Sequence, residues 1–389
     1  MRRSASRHTK AEEGKAVSID RAIDLAGQMG DWLTEETIRI CEIPAPSHEE
    51  EQRATYIASR MKEFGLEHTH VDEAYNAVGI MRGTVGGKKI LFAAHIDTVF
   101  PMSQKIEVKR EPGKVWAPGI RDNSAGAAGM LGLIKVLKDA GYTPKTDLIF
   151  VGTSGEEGLG DLKGIKQAMK TYGEGVSCVI GIDGELGRIS HWGVGSRRLR
   201  VNVTAAGGHS YGAFGASSAV HSMARMIARI ADIQVPPEPR TTYNVGVISG
   251  GHSVNSIAQD AWMLVDMRSV DPGELSKVET QVRAIISDVE AADEVKAEVL
   301  VVGDRPAGGI PGDHELVRLV EDVQKELGLT TKKGAGSTDA NVPLSMGIPA
   351  VTFGVTTGGN GHRPDEWLDE EPFATGLKQL VMVVDRLDK

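Results

Sequence analysis

The 389-residue chain predicts an α/β fold, a mostly parallel sheet covered by helices and interrupted by a smaller α+β insert. Three observations carry this. Up to about Gly193, short runs that are apolar almost throughout alternate with helical patterns. From there to Arg305 the strand-like runs alternate polar and apolar residues, and beyond Arg305 the first pattern returns. Strands apolar on both faces belong between layers of helices, whereas alternation marks a sheet with one wet face. The boundaries follow: a flexible tail at 1–18, one domain from 19–193 and 304–389, and an insert at 194–303.

In chain order, apolar spacing is helical from Ile19 to Leu66 with a break at IPAPS, and Ser47 with Glu50 fits a capping box opening the second helix. NAVGIMRG, KKILFAA, TDLIFVGTS and VSCVIGID read as buried strands, with the glycine-rich helix AGAAGMLGLIKVLKDAG among them. In the insert, RRLRVNVTAAG, TTYNVGVISG, WMLVDMRS and VKAEVLVVG are strands. One helix presents Val220, Met223, Ile227 and Ile230 on a single face, and another runs from Pro272 to about Ala291. The order strand, helix, two strands, helix, strand is the split βαβ, ferredoxin-like arrangement. DHELVRLVEDVQKELG, IPAVTFGV and FATGLKQLVMVVDRL then add a helix, a buried strand and a final helix.

A net charge of -9 offers no basic surplus to neutralise phosphates, which argues against a nucleic-acid partner. Two cysteines, Cys41 and Cys178, are too few for a disulfide framework or a thiolate zinc cluster. The basic N-terminus leads into no apolar signal core, and no long apolar run follows, so the expectation is a soluble cytoplasmic protein without a membrane span.

Ligands of open α/β sheets bind beyond the carboxyl ends of the strands. Five such ends deliver His95 and Asp97, Asp122, Glu156 and Glu157, Asp183, and His362. Singly, each is an ordinary polar residue, a helix cap or a solvated turn. Converging, they form a negative cluster that calls for cations, and two divalent metals resolve the repulsion. Without thiolates the donor set suits Zn2+, and also Co2+ or Mn2+.

HIDTVFP, PGIRDNSAG, TSGEEG, IDG and GHRPDE, in that order and with an α+β insert before the last, resemble the dinuclear zinc metallopeptidase family. That family includes aminoacylase, peptidase T, succinyl-diaminopimelate desuccinylase and glutamate carboxypeptidase. The resemblance implies a zinc exopeptidase-like catalytic domain with an inserted lid and dimerisation domain. It implies that His95 and Asp183 bind one metal, that Glu157 and His362 bind the other, and that Asp122 bridges them. Asp97 would hydrogen-bond His95 and fix its orientation, and Glu156 would be the general base. In the insert, His209 matches a histidine that reaches a partner subunit's site in a homodimer. Asn255, Arg268 and Arg305 resemble residues that receive the substrate's oxyanion or carboxylate, and GSTDAN resembles a pocket-lining loop. The chain departs from the commonest pattern at Arg121, where an acid is usual, and at Asn123, Ser124 and Ala125.

The implied activity is metal-dependent hydrolysis of an amide in a small peptide, N-acyl amino acid or related compound. HIDTVF and Arg305 resemble carboxypeptidase-like members, whereas IDG resembles peptidase T-like ones. An amidohydrolase or deaminase acting on a non-peptide compound would use the same centre. A catalytically silent binding protein is a third reading, opposed by the complete ligand set together with Glu156.

Overall fold

The computed structural model describes residues 18–389, so the tail expected at 1–18 lies outside the described residues except for Ser18. The chain divides into two compact units, one up to Trp192 and from Gly309 onward, the other Gly193–Gly308. Among the described residues no helix is long and apolar enough to cross a membrane.

After a helical stretch over residues 18–26, the first unit continues with helices α1 (Gly30–Cys41) and α2 (Glu51–Glu63). Helix α2 starts with Glu50 at its N-cap position and no side-chain cap. Ser47 does not form the expected capping box: its hydroxyl donates to Asp97 at 2.6 Å and to the Glu157 carbonyl at 3.1 Å. A bond to a buried carboxylate is charge-assisted and stronger than a neutral cap, which explains the choice.

Strands β1 (Glu67–Val71) and β2 (Ala77–Met81) form an antiparallel pair, and β3 (Lys89–His95) follows. Helix α3 (Gly126–Asp139), strand β4 (Asp147–Thr153), helix α4 (Lys163–Tyr172) and strands β5 (Val176–Ile182) and β6 (Arg188–Gly193) complete this stretch. After their first residue, β3 and β4 are buried throughout. Phe92 stands opposite Phe150 across this parallel pair, their rings stacked with centroids 5.3 Å apart. Gly126 lets α3 press onto the sheet, because a Cβ there would lie 2.3 Å from the Ile182 carbonyl.

The second unit contains β7 (Gly195–Thr204), α5 (Ala219–Ala231), β8 (Thr241–Gly250), β9 (Asp260–Ser269), α6 (Pro272–Asp293) and β10 (Lys296–Arg305). Its sheet order is β8-β9-β7-β10, antiparallel throughout. Leu199, Val201 and Val203 of β7 and Met263, Val265 and Met267 of β9 pack with Met223, Met226 and Ile230 of α5 and Val278, Val282 and Ile286 of α6. Val220 is not on the buried face of α5; it is 36% exposed. Ser218 caps the helix, and the buried stripe runs through Ala219, Ser222, Met223, Met226 and Ile230 instead. Strand β10 stays paired with β7 as far as Arg305 opposite Ser196, which carries this unit past the boundary expected at 303 and includes Arg305 in it.

The first unit resumes with α7 (Glu315–Glu326), β11 (Lys332–Gly336), β12 (Ala350–Phe353) and α8 (Phe373–Leu387). Its sheet runs β1-β2-β4-β3-β5-β12-β6, with β11 joined to β6. The neighbours β4, β3, β5 and β12 are mutually parallel. A second small sheet of the same unit pairs Trp367–Asp369 with Lys114–Trp116 and Gly358–Gly359. The short edge strands went unread because they bury too little to print an apolar run.

Candidate metal centre

Three of the expected sites follow central strands. His95 ends β3, Glu156 and Glu157 follow β4, and Asp183 follows β5. The other two do not. Asp122 and His362 lie in loops next to strands of the small sheet, so the picture of five central strand ends is corrected to three ends and two loops. Pairing of Trp116 with Trp367 holds those two loops side by side.

Among the described residues, three triads bring ligand atoms within 4.8 Å of one another: His95, Asp122 and Asp183; Asp122, Glu157 and His362; and His95, Glu156 and Glu157. Nε2 of His95 lies 3.0 Å from Asp122 Oδ1 and 3.9 Å from Asp183 Oδ1. Nε2 of His362 lies 2.9 Å from Glu157 Oε1 and 3.3 Å from Asp122 Oδ2. Asp122 thus turns one carboxylate oxygen to each histidine. His95 is 2% exposed and Glu156 and Glu157 are each 6% exposed, so the cluster is shielded on its sheet side.

Asp97 is fully buried, but its expected hydrogen bond to His95 is not made by the carboxylate, which lies 3.6 Å from Nδ1. The backbone carbonyl of Asp97 is closer to Nδ1, at 3.2 Å. The carboxylate instead accepts the backbone N–H groups of Glu156 and Glu157, each at 2.9 Å, and the Ser47 hydroxyl. Asp97 therefore shapes the turn that presents both glutamates, a short-range geometry that its spacing from His95 did not reveal.

The titration of the cluster reflects crowded charge. Burial alone would pull His95 down, yet its bond to Asp122 and the nearby Asp97 carboxylate raise it well above the ordinary histidine range. Hydrogen bonds to Asp122 and Glu157 hold His362 up at about 10. Burial pushes Asp183 up to about 6, with the charges of Asp122 and Glu157 adding to it. Burial would also raise Asp122, but its bonds to His362 and His95 keep it well below the usual carboxylate range. Among the described residues, protons on the histidines and the nearby Arg121 guanidinium are thus the positive charges acting on Asp122 and its neighbours. Divalent cations would displace those protons, because a metal takes neutral imidazole and ionised carboxylate. The donor set of nitrogen and oxygen with no sulfur fits zinc-like ions.

Two further carboxylates escaped the sequence reading. Glu366, fully buried, accepts the N–H groups of Asp122 at 2.7 Å, Arg121 at 2.9 Å and Gly119 at 3.3 Å, so it clamps the Asp122 loop. Burial pushes it up to about 7. Asp339 of GSTDAN is 5% exposed, accepts the Thr153 hydroxyl, and is pushed by burial up to about 6. Nothing in either local pattern separates these residues from surface acids.

The residues expected in the insert do not all come together. His209 and Asn255 line one cavity of the second unit. Nδ1 of His209 accepts the N–H groups of Tyr211 at 3.2 Å and Gly212 at 3.3 Å, which leaves the proton of the neutral ring on Nε2. Arg268 stands on the polar face of the sheet, bound to Asp266 at 2.7 Å, and Arg198 holds the same carboxylate at 3.0 Å. The Nε of Arg268 is thus engaged in a strand-face ion pair. Arg305 is 5% exposed at the end of β10.

Residues 91–386 match the profile of Peptidase family M20/M25/M40. The chain is 26% identical to the uncharacterized protein YqjE of Bacillus subtilis strain 168, covering 92% of this chain and 98% of the relative. It is 25% identical to a succinyl-diaminopimelate desuccinylase of Corynebacterium glutamicum, covering 85% of this chain and 90% of that one. The structure of the aminopeptidase PepT from Bacillus cereus shares the fold, with a TM-score of 0.76 at 21% identity over 92% of this chain and 99% of that one.

Proposed function

The chain belongs to peptidase family M20/M25/M40 and is a hydrolase of that family, and from this premise we propose that it cleaves an amide bond in a small peptide, N-acyl amino acid or related compound. The observation that carries the reading is one carboxylate, Asp122, shared by two ligand triads with Glu156 beside them. In this reading His95 and Asp183 hold one divalent ion, Glu157 and His362 hold a second, and Asp122 holds both. Zn2+ suits these donors, with Co2+ or Mn2+ as alternatives. Such ions polarise an amide carbonyl and make water acidic enough to attack it near neutral pH.

The chain's own groups do the rest. Glu156 also lies within ligand reach of His95 and Glu157, but the two triads that share Asp122 already supply donors for both ions, which leaves its carboxylate for the proton. It takes the proton of the attacking water and hands it to the departing amine. Asp97 fixes its position through the Glu156 N–H. His209, with its proton on Nε2, and Asn255 are suited to donate to the developing oxyanion. We place that donation across a homodimer formed through the insert. Both outer strands of its sheet expose apolar residues, Val247 and Ile248 on β8 and Leu300 and Val301 on β10. The cytoplasm is the compartment this reading assigns.

Glu156→Gln is the decisive variant. It is expected to keep its metal content by elemental analysis while kcat falls about 10²–10⁴-fold on any dipeptide or N-acyl amino acid the native protein cleaves. Retained turnover would remove Glu156 as the base.

A further inference from the structure

Within the first unit lies a cavity of about 230 Å3 lined in part by Asp183, Glu185, Arg121, Arg188, Ser190 and Thr338. Pockets that enclose a whole small molecule run to about 300–1,000 Å3, so this one takes a side group rather than an entire substrate. Because Asp183 belongs to both the cavity and the cluster, a group seated here is attached to whatever reacts there.

Arg121 is built into this place. Its backbone N–H is tied to Glu366 at 2.9 Å, and its side chain crosses the loop that carries His362. A Cβ on Gly361 would stand 2.8 Å from its Nη2, and one on Gly358 would stand 2.7 Å from its Cδ. Those two glycines leave the space that the arginine occupies. Its Nε is buried with no hydrogen-bond partner, and the only partner of the Arg188 guanidinium among the described residues is the Ala335 carbonyl, 3.4 Å from Nη2. Unpaired buried donors are costly, and a guanidinium fork is matched by the two oxygens of a carboxylate. Arg121 also lies near the charges of Asp122 and Glu366. In the proposed centre Asp122 and Asp183 serve the ions, which leaves the two guanidinium groups to face a ligand in the cavity.

We infer that Arg121 and Arg188 form a subsite for a carboxylate carried by the substrate close to the scissile amide. The inference rests on the proposed hydrolase reading for the identity of that substrate. It makes Arg121 a specificity residue: compounds bearing the negative charge are preferred over neutral isosteres of the same shape.

The test uses zinc-loaded protein and two matched pairs, Glu-Ala with Gln-Ala and Ala-Glu with Ala-Gln, which place the charge on either side of the amide. In one pair kcat/KM for the carboxylate is expected to exceed that for the amide by about tenfold or more, and Arg121→Gln or Arg188→Gln should bring the ratio near unity. A readout independent of turnover is calorimetric binding of glutarate against its monoamide, since both offer one carboxylate to the ions and only glutarate offers a second. Native protein should favour glutarate by about tenfold, and the variants should not distinguish the two. If Arg121→Gln loses its circular dichroism, Arg188→Gln, whose side chain is exposed, carries the same comparison. Equal binding in the native protein, or discrimination that survives both substitutions, overturns the subsite. Absence of any cleavage while glutarate discrimination persists strikes the hydrolase reading and leaves the subsite standing.

Discussion

In the sheet of the first unit, β3, β4 and β5 are buried almost throughout, so a charged side chain has room only where a strand ends. In the insert, β7 and β9 turn every second residue outward, and Arg198, Arg200, Asp266 and Arg268 stand along the strands themselves. Position therefore carries information in one sheet and very little in the other. A polar residue after a doubly buried run has few structural reasons to be there. A polar residue on a wet face has many.

The comparison can be broken first where the expected effect is largest. Phe92→Ala removes one ring of a stacked pair from between two helical layers and is expected to lower the unfolding free energy by about 3–5 kcal/mol in urea titration. A loss well under 1 kcal/mol would show that the sheet yields at its centre as a one-sided sheet does.

A sharper test concerns the strand ends. Ser47→Ala leaves the Asp97 carboxylate without a hydroxyl donor, and the Glu156–Glu157 turn it organises should loosen. Metal affinity is expected to weaken about 10–100-fold in a competition titration, with helix content unchanged by far-ultraviolet circular dichroism. Unchanged affinity with lost helix would return Ser47 to a capping role.

The smallest effect is expected on the wet face. Arg268→Ala should change stability at neutral pH by no more than about 1 kcal/mol, as exposed ion pairs do. Burial would raise Asp266, but its bonds to Arg268 and Arg198 hold it below the ordinary carboxylate range. The stability it supplies is therefore complete above the unfolded pKa of about 3.9 and fades as pH falls through the folded value. The difference between native and variant protein should be largest at neutral pH and vanish in strong acid. A collapse of kcat/KM with stability intact would instead give this face a residue that works on substrate.

The same contrast explains what the sequence made legible. The runs ending in His95, Glu156 and Asp183 announced both their strands and their site, because one pattern encodes the two. Asp122 and His362 were picked out as if they too ended such strands, and the small sheet that positions them was not read, since strands of two or three residues leave no periodicity. Glu366 and Asp339 act through backbone N–H groups and a hydroxyl from segments far away in sequence. That partnership exists only in three dimensions. Ser47 was misread because a hydroxyl three residues before a glutamate satisfies the capping pattern whether or not a buried acid competes for it. For Arg268 the wet sheet leaves little to read: its neighbours carry charge with the same alternation, so position alone does not set it apart.

The clamp that Glu366 places on the Asp122 loop spans 244 residues of chain. During synthesis the insert is complete once residue 308 has left the ribosome, and its core can close on its own. At that moment His95, Asp122, Glu157 and Asp183 have all been made, but His362 and the carboxylate that orients Asp122 have not. The proposed set of metal donors is therefore complete only when the last part of the chain has been made. On the proposed two-ion reading, full metal binding waits on the C-terminal segment of the polypeptide.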